Sequence, residues 1–267
     1  MRSLGFLDPA HVRGYPGKFR EAVEKGGKLP RISESKTGTT LDEAYSAQRR
    51  LTGASSLKVA GYKGAMTSAA VQKQFGVEQP LHCVLFEPSV MKAGDKPALA
   101  LSEIGPSLVE TEIGYIMGVD IPTKIADADE ARTASQAVVA VIEIPIDLGK
   151  RMNGAPAAAA DFVASNCGDA TRVIVGEQHH PDKVDLDGLA ISLARGGEVL
   201  HKTTGAATKG GQWANLMTLI NQLIEHGRII REGDLIISGA IGPAHVAEVG
   251  RYMAEFGVLG KVEFGLR

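Results

Sequence analysis

Cysteine, aromatic residues and long apolar runs are all scarce in this sequence. Cys83 and Cys167 are the only cysteines in 267 residues, lie far apart and form no CxxC unit. That count argues against a disulfide scaffold and a zinc knuckle, fits a reducing compartment, and leads us to expect two buried, inert thiols. No apolar run approaches the roughly 18 to 20 residues that a membrane-spanning helix needs. The opening MRSLGFLDPAH also lacks the apolar core of a secretory signal, so a cytoplasmic protein with no membrane partner is expected. An excess of one charge is missing as well. The 29 basic and 31 acidic residues are interspersed, leaving no basic stripe to meet phosphates and hence no nucleic-acid partner. GxGxxG in a strand-turn-helix setting and GxxxxGK[ST] are absent, which counts against dinucleotide and P-loop binding.

What is present is an ordinary globular balance, 44% hydrophobic, in a chain long enough to bury a full core. Residues 1–80 read as a mostly helical N-terminal region. YPGKFREAVEKGGKLP at 15–30 has an amphipathic pattern closed by glycine and proline, and a second helix starts after Thr40, where Thr40 and Glu43 stand as a capping box requires. A third starts near Thr67 and Ser68. From 81 to 267 short apolar runs divided by Gly, Pro, Asp and Asn indicate a strand-rich catalytic core, with strands expected at 83–87, 108–117, 137–146, 171–175, 189–194, 235–239 and 252–256. Helices interrupt it at 131–136, within 153–164, and at 212–226, where Trp213, Leu216, Leu219, Ile220, Leu223 and Ile224 make one apolar face. The order is neither regular βαβ nor a pure sandwich, so the fold class is α+β with a mixed β-roll.

Glu110 and Glu112 stand two apart in the strand-like run LVETEIGYIM, so both carboxylates project from one face and Thr111 from the other. Glu143 interrupts AVVAVIEIPI, where every neighbour is apolar. A carboxylate buried there needs a proton or a cation. Three converging carboxylates supply hard oxygen ligands suited to Mg²⁺ or Mn²⁺. Lys63 is flanked by Gly61 and Gly64, where a tight bend lets a long side chain project into a cleft. His82 and His245 are candidates to face a cleft, and Asp161 and Asn166 in DFVASN to orient Lys63 or a bound water.

These residues resemble the 2-keto-4-pentenoate hydratase and 4-oxalocrotonate decarboxylase family of the fumarylacetoacetate hydrolase superfamily. The resemblance runs through DEAYSAQRR, GYKGAMTSAAVQ, FGVEQP, LVETEIGYIM, VIEIP, DFVASN, EGDLIISG and LGKVEFG, nearly the whole chain. The family's metal carboxylates are an ExE pair and a glutamate 31 positions on, which fall on Glu110, Glu112 and Glu143. Its active-site lysine falls on Lys63 in GYKGAMTS, and Asp161 and Asn166 match its DxxxDN-type residues, with Ser165 in place of the second acid. The resemblance implies a β-sandwich roll with an N-terminal helical cap and a Mg²⁺- or Mn²⁺-dependent lyase. The substrate would be a small 2-oxo or 2-hydroxydienoic acid, handled through a metal-stabilised enolate. It further implies a homo-oligomer and a partner enzyme of the same pathway for catabolism of aromatic hydrocarbons. A superfamily C–C hydrolase or isomerase, with a base near His82 or His245, and a catalytically idle homologue are the alternatives. Three departures stand out. QPLHC places Leu81 where hydratases carry an acid, which leans toward decarboxylation; IPIDLGKR replaces a DSR step; and GAIGP places Gly242 where a hydroxyl would hold substrate carboxylate.

Overall fold

The computed structural model describes residues 8–152, 157–168 and 171–267. It divides into two units, one of Met1–Ser56 with Ile146–Ala170 and one of Leu57–Pro145 with Thr171–Arg267. This corrects the expected boundary at residue 80. The segment after Leu57 pairs with distant strands and so belongs to the sheet unit, while 146–170 returns to the helical one.

In the helical unit, helix Leu41–Gly53 begins at Thr40, whose hydroxyl accepts from Glu43 N while the Glu43 carboxylate accepts from Thr40 N, the capping box read from sequence. It packs between helices Ala10–Glu24 and Ala159–Ala164, burying Val12, Tyr15, Phe19, Ala44, Leu51 and Val163. The first helix starts at Ala10, earlier than residue 15, and carries Pro16 inside it. Within the span expected at 153–164, residues 153–156 lie outside the described residues and the helix occupies Ala159–Ala164.

The second unit is built from thirteen strands in two sheets. In chain order β1 is Val59–Ala65, β2 Leu81–Phe86, β3 Val90–Lys92, β4 Ala98–Leu99, β5 Leu108–Met117, β6 Ser135–Pro145 and β7 Thr171–His179. Then come β8 Ala190–Arg195, β9 Glu198–Thr204, β10 Leu235–Ile237, β11 His245–Val246, β12 Gly250–Phe256 and β13 Lys261–Leu266. The larger sheet runs β2-β1-β10-β5-β6-β7-β3 with β11 beside β5, and the smaller runs β4-β13-β12-β8-β9. The mix of parallel and antiparallel pairs and the separate helices bear out the α+β class.

Each strand of the large sheet sorts its side chains by alternation. One face carries Tyr62, Val84, Ile113, Tyr115, Ala140, Ile142 and Ile236 and packs with Leu216, Leu219, Ile220 and Leu223 of helix Gln212–Glu225, so the expected apolar stripe is core. The opposite face carries Leu85, Val139, Val141, Val173, Leu235 and Ile237. Among the described residues no helix is long and apolar enough to cross a membrane. Cys83 and Cys167 are buried, but neither is a free thiol, a correction to the expected pair of inert thiols; spacing along a chain does not report the chemical state of a buried sulfur.

Candidate active site

The second face of the large sheet gathers the polar residues. β5 and β6 pair with Glu110 directly opposite Glu143 and Glu112 opposite Val141, so alternation puts all three carboxylates on that face. Their nearest oxygens lie within 4.8 Å of one another. Glu112 and Glu143 are buried and Glu110 is partly so. Like charges placed directly across a strand pair repel. Burial pushes the Glu110 carboxyl up to about 8, reinforced by Glu143 and opposed by Lys63. Glu112 is driven well above the carboxylate range, first by burial and then by the charges of Glu143 and Glu110.

Lys63 lies on β1, opposite Ile237 of β10 and Cys83 of β2, which places it on the same face. It is 3% exposed, and its Nζ donates to Glu143 Oε1 at 2.6 Å. Three strand spacings of about 4.8 Å separate their strands. A contact this short across β10 and β5 requires the face to be concave. Leu81, opposite Ala65, is buried on this face as well.

One Glu112 oxygen, Oε2, accepts from the backbone N–H of Gly239 at 2.8 Å. The other, Oε1, is buried and has no hydrogen-bond partner among the described residues. Three carboxylates, which when ionised carry two negative charges in excess of the single lysine, and an oxygen lacking a donor among the described residues fit a hard divalent cation. No Cys or His joins them, as zinc would favour.

Two other expected residues, His82 and His245, lie on the opposite face of the sheet. His82 pairs in register with Gly64, on the face opposite Lys63, and its Nε2 meets Nδ1 of His226, just past helix Gln212–Glu225, at 2.7 Å. His82 therefore does not join the carboxylates: one step along a strand reverses the face. His245 is also on the far side. Its Nε2 meets His201 Nδ1 at 2.9 Å, and His201 Nε2 meets Thr111 Oγ1 at 3.2 Å. Asp161 belongs to the helical unit, where its carboxylate accepts from Arg31 Nε, from Ser33 N and Oγ, and from Ala158 N at 2.8 to 3.2 Å. These donors, all from its own unit, engage both of its oxygens. Asn166 ends the helix of that unit in the left-handed region at φ 52°. At Gly242 a Cβ would meet the His201 ring and Thr203, so a side chain there points at those residues. His201 escaped the sequence reading, although a histidine facing the alternate side of the ExE strand had Thr111 as its signal.

No family model matches the sequence. The chain is 29% identical over 252 residues to the 2-keto-4-pentenoate hydratase of Paraburkholderia xenovorans, covering 88% of this chain and 91% of that one. The 4-oxalocrotonate decarboxylase from Pseudomonas putida, solved with magnesium and adipate, matches at TM-score 0.86 and 24% identity over 96% of this chain and 97% of that one. Fumarylpyruvate hydrolase from Pseudomonas aeruginosa, solved with Mn²⁺ and pyruvate, matches at TM-score 0.57 and 16% identity over 79% and 89%. At these identities the two solved structures establish the fold.

Proposed function

We infer that this chain, a member of the 2-keto-4-pentenoate hydratase and 4-oxalocrotonate decarboxylase family in the fumarylacetoacetate hydrolase superfamily, is a divalent-metal-dependent lyase acting on a small 2-oxo or 2-hydroxydienoic acid. The observation that carries this reading is the buried lysine bonded to one of three clustered carboxylates on a concave sheet face. Glu110, Glu112 and Glu143 are the residues that would hold Mg²⁺ or Mn²⁺, which would supply Lewis-acid charge for the substrate's 2-oxygen.

The chain's own residues do the rest. Among the described residues Lys63 is the cation bonded to this cluster, and Glu143 holds it, so its ammonium group is fixed where it can give a proton to substrate carbon or oxygen. In a decarboxylation the C–C bond to the leaving carboxylate breaks, its electron pair enters the conjugated system, and Lys63 returns a proton to carbon. Leu81, Val141, Leu235 and Ile237 make the surrounding face apolar, which excludes water and strengthens the field of Lys63. With Leu81 on Lys63's own face, position 81 offers no acid to direct water to C4, which favours decarboxylation over hydration. The rival hydrolase or isomerase reading requires a base at His82 or His245, and both face away from Lys63. A homo-oligomer, a partner enzyme of the same pathway and a cytoplasmic location accompany this reading, with the exposed Val199, Val249 and Val258 offering apolar surface for self-association.

The test is titration of chelator-stripped protein and of Glu143→Gln with Mg²⁺ and Mn²⁺, following CO₂ release and loss of dienoate absorbance on a 2-hydroxydienoic acid and on 4-oxalocrotonate. The reading expects activity only with metal, and weaker metal affinity in the variant. Full activity in stripped wild type, identical affinities, or turnover of neither substrate with metal present would overturn it.

A further inference from the structure

The sequence GYKGAMTS ends in two hydroxyl residues beyond Lys63, and the structure treats them differently. Ser68 caps the helix Ala69–Phe75, its Oγ accepting from Val71 N at 3.3 Å. Thr67 is 3% exposed, and its Oγ1 has no hydrogen-bond partner among the described residues. A buried hydroxyl without a partner forfeits the hydrogen bonds it had in water, so one retained in a folded protein calls for a ligand or a reason.

The turn that presents Thr67 is over-determined. Met66 sits in the left-handed region at φ 57°, a strained choice for a side chain of that size. Gln72 Nε2 donates to the Met66 carbonyl at 3.0 Å, and Lys209 N donates to the Thr67 carbonyl at 3.1 Å. Lys209 Nζ in turn reaches Gln72 Oε1 at 2.9 Å. The carbonyls on both sides of the Thr67 side chain are thereby engaged, and only the hydroxyl is left over.

Its position links it to the carboxylates. Gly239, at φ 84°, lies against Thr67 so closely that a Cβ there would come within 2.8 Å of Thr67 Oγ1 and 2.7 Å of its Cγ2. The same Gly239 donates its N–H to Glu112 Oε2 at 2.8 Å. The hydroxyl and the Glu112 carboxylate thus border one bare glycine, the hydroxyl and the second carboxylate oxygen both lacking partners. Gly242, where a hydroxyl would have been expected to take substrate carboxylate, would aim a side chain into His201 and Thr203 instead, with a Cβ only 3.2 to 3.3 Å from them.

We propose that Thr67 is a substrate-positioning residue, its hydroxyl donating to a carboxylate oxygen of the bound 2-oxo acid beside Glu112. This rests on the lyase reading above. Strain at Met66, the two engaged carbonyls and the bare Gly239 are what hold that donor in place and clear its approach. Once the acid is bound, the hydroxyl recovers the bond that burial removed, and the gain goes to an ionised acceptor.

The test is calorimetric binding of pyruvate, the smallest 2-oxo acid, to Mn²⁺-loaded wild type, Thr67→Val and Thr67→Ser, with Mn²⁺ affinity measured separately. Valine keeps the volume and removes the hydroxyl; serine keeps the hydroxyl. Thr67→Val should bind pyruvate about tenfold more weakly, as loss of one hydrogen bond to a charged group implies, with Mn²⁺ affinity unchanged. Thr67→Ser should stay within about twofold of wild type, the scale of a hydroxyl kept but slightly repositioned. Equal pyruvate affinity in wild type and Thr67→Val defeats the proposal and leaves the lyase reading standing. A parallel fall in Mn²⁺ affinity also defeats it, because Thr67 would then act through Glu112. No metal-dependent pyruvate binding in wild type defeats the reading and the proposal together. If the valine protein does not fold, Thr67→Ala against Thr67→Ser supplies the same contrast.

Discussion

Lys63 shows how one residue acquires chemistry from its surroundings. A lysine between two glycines is in most proteins a solvated surface group, yet here it is buried and donates to Glu143 at 2.6 Å. Removing it leaves a buried cluster of acids without its cation. Lys63→Ala should lower turnover by about 10² to 10⁴, the usual range for losing a positioned proton-transfer group. Because the three candidate carboxylates remain, Mn²⁺ binding should persist and gain affinity from the lost positive charge. Steady-state rates under saturating metal, beside a metal titration, check both halves. A change of less than threefold in turnover, a factor worth only about 0.7 kcal/mol in barrier, would return Lys63 to a structural role.

At the scale of elements, strand alternation organises the site, and pairing decides how it is aimed. The expected strand at 108–117 coincides with β5, and that at 137–146 falls within two residues of β6, because both are long and rich in β-branched residues. β9, EVLHKTT, was not legible since its sequence is half polar, and β13, KVEFGL, was hidden by its charges and glycine. β1 depends on a close approach that composition does not display. Gly61, at φ 147°, faces Leu235 of β10, and a Cβ there would fall 1.9 Å from the Leu235 carbonyl oxygen. Gly61→Ala should therefore destabilise the protein by at least about 3 kcal/mol, combining overpacking with backbone strain. Gly14→Ala, in a helix with nothing within 4 Å of the new carbon, should stabilise by up to about 1 kcal/mol. Urea unfolding of the two variants would reject this account of β1 if Gly61→Ala were as stable as wild type.

At the scale of the whole sheet unit, the histidine pair joins the two sheets. His201 comes from β9 of the smaller sheet, while Thr111 of β5 and His245 of β11 belong to the larger. Burial lowers the pKa of His201, with His245 adding to the effect, and burial lowers that of His245. Both therefore stay neutral in the folded protein at pH values where the unfolded chain protonates them, below about 6.5. Their contribution to stability is complete above that pH and is lost as pH falls, because the unfolded state then binds more protons. Melting temperature should drop as pH is lowered from 7 to 5, and the drop should shrink in His201→Gln. Parallel melting curves for the two proteins across that range would remove the pair from the acid response.

The sequence by itself determined the candidate ligand set and the fold class. Two glutamates at strand period and a third in an apolar run are local facts, and so are the capping box at Thr40 and the stripe of helix Gln212–Glu225. Only the tertiary structure decided that Glu110 faces Glu143 in register, that Lys63 reaches across two intervening strands, and that His82 looks the other way. It also decided that Asp161 spends its oxygens on Arg31, Ser33 and Ala158, and that Thr67 keeps an unpaired hydroxyl beside Gly239. The physical reason is the reach of each interaction. Alternation and capping act over two to four residues and can be read along the chain, whereas register and facing join residues far apart in sequence, Glu110 and Glu143 by 33 positions and Thr67 and Gly239 by 172, and exist only once the sheet has closed.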